Sequence, residues 1–322
     1  MFIHHQLQSL QCPPRQVLEL FAGIGGLAAA WPEATIATAI DIDRSAQRIY
    51  HQNFSHPYRV AEIESLKAGE LRDYLADCWW MSPPCQPFTR RGLGRDLADP
   101  RCRALSRLVV LLGECRPPEL ALENVVGFEG SQAHRLLIDQ LRLLGYHCLS
   151  RRLCPTEMGW PNRRPRFYLL ASRQPLPGWR ALPHLACRLH DVIDETLVPD
   201  SPQAAHYALS EQLVHRYFNA LDRVDGDSSC TACFASSYGK STVRAGSYLR
   251  CGTGYRRFTP REVARLLGYC DSFRLDDLAD RVAWKLLGNS LSLPSVRYVL
   301  SHLNREDANA GAVPTRRASQ VP

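Results

Sequence analysis

From Gln16 to Ala171 the chain alternates short apolar runs with stretches of helical period. Gln16-Val-Leu-Glu-Leu-Phe21 reads as a strand, followed by the glycine turn Ala22-Gly-Ile-Gly-Gly26 and a helix over Leu27–Trp31. Thr35–Ile40 is a second strand ending in Asp41-Ile-Asp43, and Ser45–Asn53 is a helix. Asp77-Cys-Trp-Trp-Met81 is a short buried strand that runs into Ser82-Pro-Pro-Cys-Gln-Pro-Phe88. Arg103–Leu112 is helical, Glu119-Leu-Ala-Leu-Glu-Asn-Val125 is a strand, and Ala133–Leu144 is an amphipathic helix closed by Gly145. Arg166-Phe-Tyr-Leu-Leu-Ala171 is one more strand. Strands alternating with helices predict a parallel α/β sheet with ligands at the carboxyl ends of its strands.

The pattern then changes. Gln174-Pro-Leu-Pro-Gly178 and Ala181-Leu-Pro183 punctuate the chain as a linker would. Residues 176–282 are irregular and rich in Ser, Tyr, Gly and Arg. Pro260–Gly268 is a short helix with Thr259 as N-cap, Pro260 at its first position and Glu262 at its third. Leu286-Leu-Gly-Asn-Ser290 opens a last helical segment to Leu303. The tail, 304–322, has no apolar periodicity and is expected to be disordered.

Composition narrows the classes. The chain has 322 residues, 45% hydrophobic and 22% charged, enough for one large domain or for one domain with a smaller partner. The apolar runs are too short to span a bilayer, and the N-terminus lacks the features of a secretory signal, so a cytoplasmic protein without membrane contact is expected. Twelve cysteines then read as reduced thiols. Cys230 and Cys233 form a lone C-x-x-C with no second pair at zinc spacing, so no metal is expected.

The formal net charge is +7, and Lys67, Lys240 and Lys285 are the only lysines among 39 basic residues. Between Arg142 and Arg188 Glu157 is the only acid among the arginines, and between Ser236 and Arg265 Glu262 is. Arginine forks suit phosphate and bases. Charge alone leaves open a merely solvated arginine bias.

Four constellations could carry chemistry. Phe21-Ala-Gly-Ile-Gly-Gly26 follows a strand and precedes a helix, and Asp41 ends the next strand, where a carboxylate can take ribose hydroxyls. The glycines do not form G-x-G-x-x-G, which favours S-adenosyl-L-methionine over nicotinamide or flavin. By itself such a turn also serves structure. Cys85 sits between prolines in Pro83-Pro-Cys-Gln-Pro-Phe-Thr89, on a stiff loop at a strand end. An ordinary thiol is mostly protonated at neutral pH, so a nucleophile there needs help to ionise. Glu123 ends an apolar strand, where a carboxylate is expensive without a role. Asn162-Arg-Arg-Pro-Arg166 leads into a strand, and its arginines could orient a carboxylate, bind phosphate, or lie on the surface.

In this order, the four elements resemble the cytosine-C5 methyltransferase family. The resemblance runs from Val17 to Leu303 and includes the glycine loop, Pro-Pro-Cys-Gln, Glu-Asn-Val, the arginines 164 and 166, and Gly288-Asn-Ser290. Within the family the chain is most similar to the branch that methylates the anticodon loop of tRNA-Asp. Met81-Ser-Pro-Pro-Cys-Gln-Pro-Phe-Thr-Arg90, Leu122-Glu-Asn-Val125, Asn162, and Cys233-Phe234 with Tyr238-Gly239 carry that likeness. Ala235 departs from it, standing where the branch has threonine.

The resemblance implies a Rossmann-like, S-adenosylmethionine-dependent α/β catalytic domain over 1–175, completed by 283–303. A smaller target-recognition domain is inserted at 176–282. It implies a monomer acting on tRNA, at cytosine 38 of tRNA-Asp or tRNA-Glu. Cys85 would add to C6 of the cytosine, Glu123 in its acid form would hold N3, and Arg164 and Arg166 would hold the base, the cysteine loop and phosphate. Asp41 would hold the ribose and Ile42 pack on the adenine. Glu62 and Ile63 would flank the adenine's amino edge. Phe21, Gly23, Ile24, Gly25, Gly26, Pro83, Asn289 and Ser290 would complete the cofactor site. Arg90, Arg91, Cys233, Phe234, Tyr238, Lys240 and Arg244 would meet the nucleic acid. The rivals are a DNA methyltransferase of a restriction–modification pair, with the same catalytic residues, and a non-catalytic nucleic-acid-binding relative.

Overall fold

The computed structural model describes residues 10, 12–89, 96–199 and 201–303. Seven strands form the main sheet: β1 (Gln16–Leu20), β2 (Thr35–Asp41), β3 (Tyr58–Val60), β4 (Cys78–Met81), β5 (Glu119–Val125), β6 (His147–Leu153) and β7 (Arg166–Ser172). Their spatial order is β3-β2-β1-β4-β5-β7-β6. The order reverses between β1 and β4, which opens a crevice at their carboxyl ends. β1, β4 and β5 are almost wholly buried, which explains their continuous apolar runs. Helices α1 (Gly26–Ala30), α2 (Arg44–Asn53), α3 (Ala68–Asp73), α4 (Arg103–Cys115) and α5 (Gln132–Leu143) connect the strands. Asp43 caps α2 by accepting from the amides of Ser45 and Ala46, and Ser131 caps α5.

The sheet corrects the expectation that all its strands are parallel. β7 runs antiparallel to both β5 and β6, with Val125 opposite Arg166 and Glu123 opposite Tyr168. The reversal has a functional consequence. It brings the amino end of β7, with Arg166, to the edge where β5 ends, whereas a parallel β7 would bring Ser172 there. β6 was not expected at all. Its sequence, His-Cys-Leu-Ser-Arg-Arg-Leu, carries no apolar run because it is the outermost strand and most of its side chains reach solvent.

Beyond residue 176 the chain is less irregular than its composition suggests. Helices α6 (Pro202–Tyr207) and α7 (Glu211–Tyr217) precede a three-stranded sheet of β8 (Asp222–Val224), β9 (Ser247–Cys251) and β10 (Gly254–Arg257). Helix α8 (Pro260–Leu267) follows, with the expected capping box of Thr259 and Glu262. Glu262 also receives a two-pronged ion pair from Arg256, at 2.8 and 2.7 Å, with both side chains buried. Leaving either charge unpaired there would cost about 3–5 kcal/mol. Arg256 is thus a structural residue, although it counts towards the basic stretch that suggests nucleic acid.

The final segment is two helices, α9 (Asp280–Gly288) and α10 (Leu293–Leu300), not one. Asn289 to Ser292 break the chain between them, and Pro294 stands in the first turn of α10. α10 packs on α1 and β7, so the C-terminal segment completes the core around the crevice. Among the described residues no helix is long and apolar enough to cross a membrane. The tail expected to be disordered lies outside the described residues.

Candidate active site

A cavity of about 560 Å³ occupies the crevice. Residues from the ends of β1, β2, β4 and β5, the start of β7, and the α9–α10 break line it.

At one end is the glycine loop. Phe21 turns out of β1 at φ 60°, a costly conformation for a side-chain-bearing residue that recurs at functional sites. Gly25 has φ 87°, and a Cβ there would lie 2.5 Å from the Phe54 ring, so only glycine fits. Asp41 holds this loop through its carboxylate, which accepts from the amides of Gly23 and Asp43, both at 2.9 Å. Burial pushes the Asp41 carboxyl upward against these hydrogen bonds. Ile42 is 65% exposed at the cavity wall. An apolar side chain left so open beside a carboxylate at a β-strand end fits an adenosine, with a face for the base and an acceptor for the ribose. Phe21, Gly23, Ile24, Gly26, Ile63, Pro83, Asn289 and Ser290 also line the cavity, as expected.

Two expected cofactor residues do not. Gly25 turns its position towards Tyr50 and Phe54 behind the loop. Glu62 stands just before the short helical turn at Ile63, and the acid that lines the wall is Glu64, two residues on. The sequence reading also missed Glu19. It is 1% exposed and accepts from the Tyr50 hydroxyl at 3.1 Å. Burial pushes its carboxyl up to about 8, although Tyr50 and the amides of Leu27 and Ala28 pull the other way. Glu19 therefore ties β1 to the first turn of α1.

At the other end the charged side chains meet. β4 delivers Cys85 on its proline loop. Asn124 secures this loop by donating to the Pro83 carbonyl at 3.2 Å, and Ser82 donates to Phe21 at 3.2 Å. Glu123 points into the cavity from β5, with Arg166 Nε 3.0 Å from its carboxylate. Burial raises the Glu123 carboxyl, opposed by Arg166 and Arg164. The Cys85 thiol is also raised, first by burial, with Arg166 pulling it down, Glu123 pushing it up and Arg164 pulling it down. The site alone therefore does not ionise Cys85. A proton on Glu123 would remove a negative charge that opposes the thiolate, which couples the two groups.

Arg164 is 2% exposed, and its guanidinium is committed to protein groups. It donates to the carbonyls of Phe234 (3.3 Å), Gly288 (3.1 Å) and Ser290, and to the Cys233 sulfur at 3.4 Å. Only its buried Nε lacks a partner. Arg164 thus pins the segment around Phe234 and the α9–α10 break to the start of β7, a different task from gripping base and phosphate. Gly288 is needed for the same junction, because a Cβ there would lie 2.4 Å from the backbone of Ala235 and Ser236.

The residues expected at the nucleic acid divide. Cys233 sits with the two arginines: its sulfur is also 3.8 Å from Arg166 Nη2. Burial pushes its thiol up, but the two guanidiniums outweigh this and hold it below the ordinary value. Phe234 and Tyr238 are each 2% exposed and cannot stack on a base. Tyr238 donates to the Ser247 carbonyl at 2.8 Å and packs against Phe234 and Trp284. Asn162, also buried, donates to Thr231 at 3.0 Å and pairs with it in an isolated β-bridge outside both sheets. Lys240 and Arg244 are exposed. Arg90 and Arg91 lie outside the described residues. All twelve cysteines are free, and the described residues contain no cluster that could hold a metal. Arg101, which forks onto Asp99 at 2.8 and 2.6 Å and lines the cavity beside Cys85, had no sequence signal.

A doubly wound sheet open at such a crevice is a fold that methyltransferases share with other ligand-binding enzymes, and here Cys85 and the buried Glu123 line the crevice together. Residues 15–217 match the model of the C-5 cytosine-specific DNA methylase family, and the chain belongs to that family. It is 32% identical over 318 residues to the tRNA (cytosine(38)-C(5))-methyltransferase of Schizosaccharomyces pombe, covering 89% of this chain and 96% of the relative. The solved structure of the S. pombe Dnmt2 methyltransferase superposes with a TM-score of 0.78 at 29% identity, covering 89% of this chain and 97% of that one. The Entamoeba histolytica methyltransferase EhMeth superposes with a TM-score of 0.82 at 25% identity, covering 91% and 98%. Methyltransferases of this family generally use S-adenosylmethionine.

Proposed function

We propose that the protein methylates C5 of a cytosine in a tRNA anticodon loop, at position 38, with tRNA-Asp the first candidate and tRNA-Glu the second. The observation that carries the tRNA reading is the 32% identity, over nearly the whole of both chains, to a relative named for that reaction. S-adenosylmethionine would supply the methyl group, held by the glycine loop, Asp41, Ile42 and the Ser290 segment.

The chain's own residues do the rest. Cytosine C5 is a poor nucleophile. Addition of the Cys85 thiolate to C6 pushes electron density to C5, and Glu123 holds N3 as an acid. The buried, upward-shifted carboxyl of Glu123 suits that proton-bearing role. Arg166 keeps the carboxyl in place, 3.0 Å away, and lowers the thiol. After methyl transfer, loss of the C5 proton and expulsion of Cys85 restore the ring. The cytosine must leave its stack, which costs less in a loop than in a duplex. Lys240 and Arg244, both exposed, would meet phosphate. We further propose that the enzyme acts as a cytoplasmic monomer, with 176–282 as its recognition domain.

A second reading, DNA methylation, draws support from the family description itself, which names DNA. Labelling by tritiated S-adenosylmethionine of total tRNA, purified tRNA-Asp, tRNA-Glu and duplex DNA, run in parallel, separates the two. Transfer should be fastest to tRNA-Asp. Faster labelling of duplex DNA than of any tRNA would overturn the proposal.

A further inference from the structure

Beside the active site lies a second, more open cavity of about 610 Å³, within the range of nucleotide-sized ligand sites. It begins on the far side of the Cys85 loop. Val125, two residues past Glu123, lines both cavities. Pro165, between Arg164 and Arg166, forms another wall. The two spaces are therefore one residue apart.

The lining is largely apolar, with Phe88, Val125, Val126, Leu153 and Pro165. The Phe88 ring is half-buried, edge-on to Phe128 at 5.0 Å. Gly127 lets the two walls close up, since a Cβ there would lie 2.3 Å from the Phe88 carbonyl oxygen. Arg152 stands at the rim, largely exposed and paired with Glu129. The lining's other charge, Glu157, is engaged by the Cys154 amide at 2.6 Å. An aromatic edge, flat apolar walls and one accessible guanidinium suit a planar heterocycle attached to a phosphate.

We propose that this cavity receives the base next to the target cytosine. When a loop cytosine is drawn into the Cys85 site, its neighbour loses a stacking partner, and the cavity offers a replacement surface one step along the strand. Arg152 then faces the intervening phosphate. The subsite rests on the RNA reading above, and it makes the identity or presence of a flanking base part of substrate recognition.

The test uses RNA hairpins carrying the target cytosine in three forms: intact, abasic at the 5′ neighbour, and abasic at the 3′ neighbour. Methyl transfer is followed as kcat/KM. One abasic RNA should lose about fivefold or more, as expected for one lost base–aromatic stack, and the other should lose much less. Filling the cavity with Val126→Trp should slow the intact RNA by a similar factor and leave that abasic RNA little changed. Phe88→Ala should behave alike, which covers a failure of the first variant to fold. Equal behaviour of all three RNAs with the wild-type protein, or an equal loss for both abasic RNAs, would overturn the subsite while leaving RNA methylation standing. If no RNA is methylated and duplex DNA is, the RNA reading falls and takes the subsite with it.

Discussion

At the cofactor end of the cavity the key groups are held by backbone: the Asp41 carboxylate accepts from two main-chain amides, and the glycine loop is shaped by its own turn and by the Phe54 ring behind it. At the base end the key groups hold one another. Arg166 pairs with Glu123, Cys233 lies between the two guanidiniums, and Arg164 reaches carbonyls from two distant segments. A backbone cradle is a binding device, built from main-chain groups whose places the turn fixes. A cluster of a thiol, a raised carboxyl and arginines is a device in which one proton alters the charge of every neighbour. The first end should tolerate changes at the second, and the reverse.

The largest expected effect is at the base end. Cys85→Ala should reduce methyl transfer below about a tenth of wild type, because it removes the proposed nucleophile. Cofactor affinity measured by calorimetry should change little, because the Asp41 cradle is untouched. Retained activity would break the comparison at its catalytic side.

Asp41→Ala should act on the other end. Losing an acceptor that carries charge should weaken cofactor binding by about 1.5–3 kcal/mol. An unchanged dissociation constant would mean that the ribose lies elsewhere.

The smallest effect is a pH dependence at Glu19, a buried carboxyl beneath the glycine loop. Its folded value, about 8, lies above the unfolded one near 4.5. The native state therefore binds the extra proton, and the stability this gives is full below the unfolded value and lost as pH rises through about 8. Glu19→Gln mimics the protonated acid and should flatten the fall in melting temperature between the unfolded value of 4.5 and about 8. A fall as steep as in the wild type would contradict a proton on Glu19.

The cofactor end was largely legible in the sequence, because its signals are local: a glycine turn after a strand, an acid at the end of the next. Glu123 and Cys85 were legible for the same reason, each at the end of an apolar strand. The arginines were found, but not their tasks. The antiparallel direction of β7, which brings Arg166 to Glu123, leaves no mark on the composition of a buried strand. That Arg164 binds the carbonyls of Phe234, Gly288 and Ser290 depends on segments 70 or more positions away. Phe234 and Tyr238 sit among polar residues in the chain, which hid the aromatic core they form with Trp284 and Phe258.

The most direct test of the account is covalent trapping. An anticodon hairpin with 5-fluorocytosine at the target position, incubated with S-adenosylmethionine and the protein, should form a denaturant-resistant complex, because fluorine blocks the final loss of the C5 substituent. Mass spectrometry should place the linkage on Cys85, and Cys85→Ala should give none. A methylated product from ordinary RNA with no trapped species, or a linkage on Cys233, would contradict it.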